Sequence, residues 1–162
     1  MDDRLSASRL IGLEVWRASP GRALGEVVDV LFDPRPRRLI GFEIAAGSLV
    51  KRLKALPCQG VASWGPTRLT VKTPEALIPA DVLPKKCPRL RRADRPLGLP
   101  VVDESGEERG VVADLLVDAS DWRITGFEVS DGLFADLLAG RRSVSGPIRY
   151  SGGGRAVLLP SI

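Results

Sequence analysis

The residues of this chain that could do chemistry are few, and their types exclude the commonest reactions. Histidine is absent from all 162 residues, which removes the usual general base near neutral pH and every Ser-His or Cys-His nucleophile pair. The glycine run 152–154 lacks the Lys and Ser/Thr of a phosphate-binding loop and precedes a predicted strand instead of a helix. The residues identify no reaction, and we expect the protein to be neither an enzyme nor a cofactor-binding protein.

Acidic residues recur along the chain and are the candidates for a cation site or a catalytic carboxylate pair. They are Asp29, Asp33, Glu43, Asp114, Asp118 and Glu128. Asp29 and Asp33 are four residues apart in a predicted strand, which separates them by about 13 Å, too far to share a cation held at ~2.4 Å. Asp33 and Asp118 fit acids that begin a turn, and Glu43 fits an outward charge that keeps a strand soluble. We therefore predict no metal site and no catalytic carboxylate.

The two cysteines, Cys58 and Cys87, do not suffice for a zinc site. Zinc takes four sulfur or imidazole ligands, and the chain has no His to complete the set. A disulfide between the two cysteines is one interpretation. Two free thiols without a special role fit a reducing cytosol better.

A basic, proline-rich segment has the clearest bearing on function. Residues 73–96 contain five prolines, and the six cations of the segment are Lys85, Lys86, Arg89, Arg91, Arg92 and Arg95. Clustered cations can dock an acidic protein or neutralise RNA phosphates with a salt-dependent affinity. The alternative is a solvated linker that only connects two domains. We predict these six residues as partner-binding residues.

A tandem repeat contains the recurring acids, and the basic segment lies between its two copies. The run 24–44 (LGEVVDVLFDPRPRRLIGFEI) matches the run 109–129 (RGVVADLLVDASDWRITGFEV) at an offset of about 85 positions. Weaker matches on either side extend each unit to about 70 residues, near the lower limit for a domain that folds alone. We predict two domains, residues 1–73 and 95–162, joined by a linker over residues 74–94.

Local patterning predicts an all-β fold for each unit. Residues 27–32 and 39–44 are short apolar strands separated by a turn that contains Asp and Pro, which is the pattern of a β-hairpin. Alternation along the second strand directs Phe42 inward and Glu43 outward, and Phe127 and Glu128 repeat that pattern.

Each predicted hairpin is followed by a short stretch with helical spacing of apolar residues. In the first half the residues are Leu49, Val50, Leu53 and Leu56, and in the second half they are Leu133, Phe134, Leu137 and Leu138. This spacing predicts a short helix or helical turn in each half. Several short strands at such spacing predict a small β-barrel in each half, so the fold class is all-β: two tandem barrels with short helical segments.

The order of these motifs resembles the PRC-barrel family, named for the cytoplasmic domain of the photosynthetic reaction centre H subunit. Each half has a leading G-x-x-V, a V-x-D-[VL]-L-x-D strand after a Gly, and R-[LI]-x-G-F-E-[IV] after the turn. The resemblance covers residues 9–72 and 95–160. Relatives include the C-terminal domain of the ribosome maturation factor, which binds a small-subunit ribosomal protein. The resemblance implies a module for assembly and not for catalysis.

Composition sets the remaining expectations. The chain is 44% hydrophobic and 27% charged, and its longest apolar runs are far shorter than a membrane span. The N-terminus carries acidic residues and no apolar core of signal-peptide length. We expect a cytoplasmic, non-enzymatic adaptor that binds an acidic protein partner. The alternative is an RNA- or ribosome-associated maturation factor that uses the basic segment, and a homo-oligomer is compatible with either.

Overall fold

The computed structural model describes residues 4–35, 37–93, 96–146 and 148–159, with only the backbone of residues 133 and 134. These residues form two compact units. The N-terminal unit is Ser8–Arg92, and the C-terminal unit combines the described residues of Ala93–Ile162 with those of Met1–Ala7.

Strands predominate in both units, which confirms the predicted all-β class. The described strands are β1 (Arg4–Ser6), β2 (Glu14–Arg17), β3 (Arg22–Asp33), β4 (Arg38–Ala46), β5 (Arg52–Pro57), β6 (Val61–Trp64), β7 (Arg68–Val71), β8 (Ile78–Pro79), β9 (Arg91–Arg92), β10 (Pro100–Val102), β11 (Glu108–Asp118), β12 (Arg123–Ser130), β13 (Arg142–Ser145), β14 (Tyr150–Ser151) and β15 (Ala156–Leu158). The described helices are α1 (Val82–Lys86), α2 (Leu133–Ala139) and 3-10 turns at Ala7–Arg9, Cys58–Gly60 and Pro74–Ala76.

The two units have the same strand order. It is β6-β7-β2-β3-β4-β5 in the N-terminal unit and β14-β15-β10-β11-β12-β13 in the C-terminal unit. Each unit contains one parallel pair, β2 with β7 and β10 with β15, and the other neighbours in these two orders are antiparallel. The sequence repeat therefore encodes one fold twice.

The central hairpins β3–β4 and β11–β12 also share their register. Phe42 lies opposite Val30, and Phe127 lies opposite Leu115, the equivalent residue of the second repeat. Both phenylalanines are fully buried, as the alternation predicts. The pairing shifts at equivalent points, between Val27 and Asp29 in β3 and between Val112 and Asp114 in β11. The two cores are thus built on the same β-bulged hairpin.

Each hairpin gains an outer strand from an unexpected part of the chain. β1, which precedes the N-terminal unit, pairs with β11, so that Leu5 lies opposite Val117. β9, which precedes most of the C-terminal unit, pairs with β3, so that Arg91 lies opposite Phe32. The two strands occupy equivalent places in the two units. β1 precedes the first repeat and β9 precedes the second, and each pairs with the hairpin of the other repeat, so we call these two strands exchanged.

The structure differs from the predicted domain boundaries because residues 74–92 fold onto the N-terminal unit. This segment forms a 3-10 turn, β8, α1 and β9. Its apolar side chains pack against the outer face of the central hairpin in a cluster that comprises Leu31, Ile40, Ala55, Ile78, Leu83 and Leu90. The five prolines favour a linker, but the apolar residues between them pack against the N-terminal unit. The described part of the segment is therefore a layer of the domain.

The structure confirms one of the two predicted helical stretches. Leu133–Ala139 is α2, whereas the stretch from Leu49 to Leu56 is a bend followed by β5. β5 pairs with β4 along its whole length, from Arg52 opposite Ala46 to Pro57 opposite Gly41. The ladder of hydrogen bonds to β4 overrides the helical spacing, because short segments take their conformation from tertiary pairing.

Candidate partner-binding surfaces

The structure places three of the six predicted basic residues beside acids of the same unit. Lys85 forms an ion pair with Asp81, Arg89 Nε lies 3.4 Å from Asp33 Oδ1, and Arg92 Nη2 lies 2.8 Å from Glu43 Oε1. Arg91 is half-buried and donates to the Leu90 carbonyl, while Lys86 is exposed. Arg95 lies outside the described residues. Sequence reasoning grouped the cations correctly in the chain but missed their acidic partners.

Asp33, the acid beside Arg89, is held by hydrogen bonds as well as by an ion pair. It is buried at the end of β3 and accepts hydrogen bonds from the Arg35 N–H at 2.9 Å and from Cys87 Sγ at 3.3 Å. Burial alone raises the pKa of Asp33, but these hydrogen bonds and the Arg89 charge outweigh it and hold the pKa below its ordinary value. Burial and the neighbouring Asp33 raise the pKa of the Cys87 thiol. The predicted role of Asp33 in the turn is confirmed.

A pair of acids spans each central hairpin, and three of the four, Asp29, Glu43 and Asp114, are buried. Asp29 lies opposite Glu43, and Asp114 lies opposite Glu128. Asp29 and Asp114 each accept a hydrogen bond from the next backbone N–H, at 2.7 and 2.8 Å, and so stabilise the bulge. Among the described residues, no group of three or more Cys, Asp or Glu side chains is placed to hold a metal ion.

The prediction that Glu43 points into solvent is wrong. Only 8% of this residue is exposed, because the segment that carries Leu83 and Arg92 covers the outer face of β4. Glu128 is more accessible, and it accepts a hydrogen bond from Ser6 Oγ at 3.1 Å. Ser6 in β1 occupies the place that Arg92 has in β9. The exchanged strand therefore contacts the equivalent glutamate in both units.

A second surface lies where β4 turns into β5. Residues 47–54, which we call the β4–β5 tip, carry Leu49, which is 98% exposed, and Val50, which is 71% exposed. Gly47 begins the turn with a positive φ of 111°, where a side chain would collide with the Val50 carbonyl. Lys51 Nζ donates to the Gly47 carbonyl at 2.7 Å and closes the loop. The backbone thus holds two aliphatic side chains in solvent.

The charge around this tip is of one sign. Residues 44–74 contain no Asp or Glu, and their cations are Lys51, Arg52, Lys54, Arg68 and Lys72. No ion pair of Lys51, Arg52 or Lys54 occurs among the described residues, and the first two are exposed. Sequence reasoning missed this surface, although the acid-free run was visible in the sequence. The spacing of Leu49, Leu53 and Leu56 predicts a helix, and that prediction conceals the exposed turn.

An open groove of about 580 Å³ adjoins the tip and shares Gly47, Ser48 and Lys51 with it. Arg17 and Arg22 line the groove together with two acids, Glu14 and Glu26. Glu14 accepts a hydrogen bond from the Trp16 indole at 2.7 Å. Arg17 Nε is buried and has no hydrogen-bond partner in the described part of the chain. The arginine side chains that line the groove are therefore hydrogen-bond donors next to the tip.

Comparison with family models explains why the two units share their strand order. The model of the PRC-barrel domain matches the chain twice, over residues 2–78 and 88–162. The chain belongs to the PRC-barrel family. It is a tandem PRC-barrel protein, so the predicted resemblance is confirmed and each unit is a small β-barrel. No curated protein matches this chain. Neither α1 nor α2 is long and apolar enough to cross a bilayer, and the described residues form no other α-helix.

The second PRC barrel has an exposed apolar connection of its own, but its charge is balanced. Leu137 and Leu138 on α2 are 76% and 85% exposed. The two arginines that follow are in ion pairs: Arg141 lies 3.6 Å from Glu128 and 3.5 Å from Asp136, and Arg142 lies 2.8 Å from Asp131. Apolar exposure is therefore common to both barrels, whereas uncompensated positive charge marks only the β4–β5 tip among these two connections.

Proposed function

We propose that this PRC-barrel protein is a non-enzymatic, cytoplasmic adaptor that binds an acidic protein partner through the basic segment at residues 81–92. The observation that carries the proposal is that this segment is folded and not free. α1 and β9 hold its cations on the N-terminal unit, and the packing of Leu83 and Leu90 fixes the segment against the hairpin. A fixed array of cations loses less conformational entropy on binding than a flexible linker does.

The internal ion pairs leave these cations able to bind. The side chains of Lys85, Arg89 and Arg92 remain 75%, 62% and 55% exposed in their ion pairs. The Lys85–Asp81 pair is exposed on both sides and contributes at most about 1 kcal/mol, so an incoming carboxylate can replace it. The acids that pair with Arg89 and Arg92 are buried, so a carboxylate adds to those two pairs and does not replace them. Clustered cations also raise the rate of encounter with an acidic surface, an effect that salt screens. Binding should therefore weaken as the ionic strength rises.

The test is capture of partners from host lysate by the full chain, with and without nuclease, over a series of salt concentrations. The variant Lys85→Ser/Lys86→Ser removes two exposed cations that contact no buried acid. Arg149→Ser/Arg155→Ser is the matched control, because it removes the same charge from exposed positions of the C-terminal unit. We expect the first variant to weaken capture several-fold and the control to leave it unchanged.

Two results would overturn this proposal. If Lys85→Ser/Lys86→Ser captures the same proteins at the same salt, the segment is only a layer of the domain. If nuclease abolishes capture, the partner is RNA-bound, and the chain is an RNA- or ribosome-associated factor instead. Thermal melts of both variants within a few degrees of wild type establish that the comparison is between folded proteins.

A further inference from the structure

The β4–β5 tip combines features that the adaptor proposal does not use. Leu49 and Val50 stand almost free of neighbours at the apex of a turn, where a folded domain normally places polar residues. Their exposure is imposed by a closed loop, since Gly47 has a conformation that favours glycine and Lys51 bonds back to its carbonyl. Leu49 and Val50 are adjacent in the turn and are followed at once by the cations Lys51 and Arg52.

The charge of the tip restricts what can cover it. Lys51 and Arg52 have no acidic partner among the described residues, and no acid occurs in residues 44–74. Arg17 and Arg22 extend the positive lining into the adjoining groove, where Arg17 Nε lacks a hydrogen-bond partner. Glu14 and Glu26 line the same groove, so the excess of positive charge is concentrated at the tip itself. The occupant must therefore be anionic where it meets the cations and apolar where it meets the leucine and valine.

An anionic bilayer surface fits this combination better than a protein or RNA does. Two aliphatic side chains are too small a patch for the roughly 800 Å² that one partner buries in a stable protein interface. RNA-binding surfaces use aromatic side chains for stacking, and residues 47–54 contain none. Aliphatic residues beside Lys and Arg are the usual composition of segments that enter the headgroup region of anionic membranes.

We infer that the β4–β5 tip docks the protein on a bilayer that contains anionic lipids. Leu49 and Val50 enter the boundary between headgroups and acyl chains, and Lys51 and Arg52 lie at the level of the lipid phosphates. The loop backbone stays at the headgroup level, where water satisfies its polar groups. Docking by two aliphatic residues and a few cations is reversible and depends on salt. This inference is independent of the basic segment, which uses other residues.

The experiment is flotation of the full chain with vesicles. One set contains phosphatidylcholine mixed with phosphatidylglycerol, and the other contains phosphatidylcholine alone. We expect binding to the mixed vesicles only, and loss of binding at high salt. Leu49→Ser/Val50→Ser should lower the partition coefficient at least about tenfold. Lys51→Gln/Arg52→Gln should lower it several-fold, in line with the contribution of each cation near an anionic surface.

The C-terminal unit supplies the matched control. Leu137→Ser/Leu138→Ser removes two leucines of similar exposure whose neighbouring arginines are already paired, and it should leave vesicle binding unchanged. Two reporters locate the contact: Leu49→Trp should be quenched by brominated lipids beyond the signal of the native tryptophans, and Leu137→Trp should not. All of these positions are exposed, so each variant should have the melting temperature of the wild-type protein.

Each contrary outcome overturns the inference. If the folded chain does not bind mixed vesicles at low salt, the tip is not a lipid-binding surface. If it binds phosphatidylcholine alone equally well, the cations have no part in binding. If Leu49→Ser/Val50→Ser binds like wild type, adsorption is electrostatic without insertion, and an equal loss with Leu137→Ser/Leu138→Ser shows general hydrophobicity. None of these outcomes bears on partner capture by Lys85 and Lys86, so the two proposals stand or fall separately.

Discussion

The central hairpins of the two barrels are alike in register and bulge, yet the glutamate of each hairpin obtains its cation from a different place. In the N-terminal unit the cation is Arg92 of the exchanged strand, at 2.8 Å from Glu43. In the C-terminal unit the exchanged strand supplies only Ser6, and Arg141 from the β12–β13 connection lies 3.6 Å from Glu128. The fold fixes the position of the acid, whereas the source of the positive charge varies.

This difference also accounts for the charge of the two connections. Arg141 serves an internal acid, so the connection that carries Leu137 and Leu138 is electrically balanced. In the N-terminal unit the exchanged strand supplies the cation, and Lys51 and Arg52 form no ion pair among the described residues. Among the described residues of these two connections, the cations lack an ion-pair partner in the unit whose outer strand neutralises the glutamate of the hairpin.

The largest expected effect tests the likeness of the two cores. Phe42→Ala and Phe127→Ala each remove a fully buried ring and should lower the free energy of unfolding by about 3 to 5 kcal/mol. Urea unfolding of each variant measures the loss. Leu138→Ala, at an exposed position, is the control and should cost little. A loss near zero at either phenylalanine would show that the two hairpins do not contribute equivalent cores.

The next effect tests the difference between the two glutamates. Arg92→Ser gives β9 the residue that β1 has and removes the ion pair between Arg92 and the buried Glu43, so we expect a loss of about 1 to 2 kcal/mol in the free energy of unfolding. Arg141→Ser leaves the Ser6 hydrogen bond to the more accessible Glu128, and the loss should be below about 1 kcal/mol. Urea unfolding compares the two. Adding Glu43→Gln to Arg92→Ser should recover part of the loss, and equal losses for the two arginines would remove the distinction.

A smaller effect should appear in acid. Because the pKa of Asp33 is lower in the folded than in the unfolded state, its contribution to stability is fully present above the ordinary pKa of Asp and is lost as the pH falls through the folded-state value. The difference in unfolding free energy between wild type and Asp33→Asn should therefore shrink below about pH 4. Urea unfolding over a pH series measures it. A difference that stays constant from neutral to acid pH would contradict the lowered pKa.

The smallest expected effect concerns the reactivity of the two cysteines, which both lie in the N-terminal unit. Burial raises the pKa of Cys58 to about 12, whereas Cys87 is only partly buried, so a thiol reagent should modify Cys87 first. Modification of Cys58 then reports opening of the N-terminal unit alone. We expect Phe42→Ala to accelerate it strongly and Phe127→Ala to change it little, as measured by thiol labelling under native conditions. Equal acceleration would show that the two barrels open together.

Much of this fold is predictable from the sequence, because long alternating strands carry a strong signal. The repeat, the hairpins, the inward phenylalanines and the turn at Asp33 all follow from residues that lie close together in the chain. The exchanged strands do not, since β1 and β9 are three and two residues long and have no periodicity of their own. The outward assignment of Glu43 failed for a related reason: alternation gives a residue its face but not what covers that face.

The candidate surfaces were predictable only in part. The basic segment was found from its composition, but its proline content concealed the apolar residues that fold it onto the barrel. The β4–β5 tip was hidden because the spacing of Leu49, Leu53 and Leu56 matches a helix turn as well as it matches an exposed turn followed by a strand. Only the pairing of β5 with β4 distinguishes the two. The sequence signal that pointed to this surface was the absence of Asp and Glu from residues 44–74.

The exchanged strands also impose an order on biosynthesis. β1 is made before its partner β11, which lies about 110 residues later and emerges roughly 5 to 20 seconds afterwards at ordinary rates of translation. The N-terminal unit ends with its own outer strand, β9, and can close while the ribosome is still making the C-terminal unit. Until β11 appears, β1 remains an unpaired strand on a nascent chain. β1 thus pairs only after the central hairpin of the N-terminal unit and β11 have been synthesised.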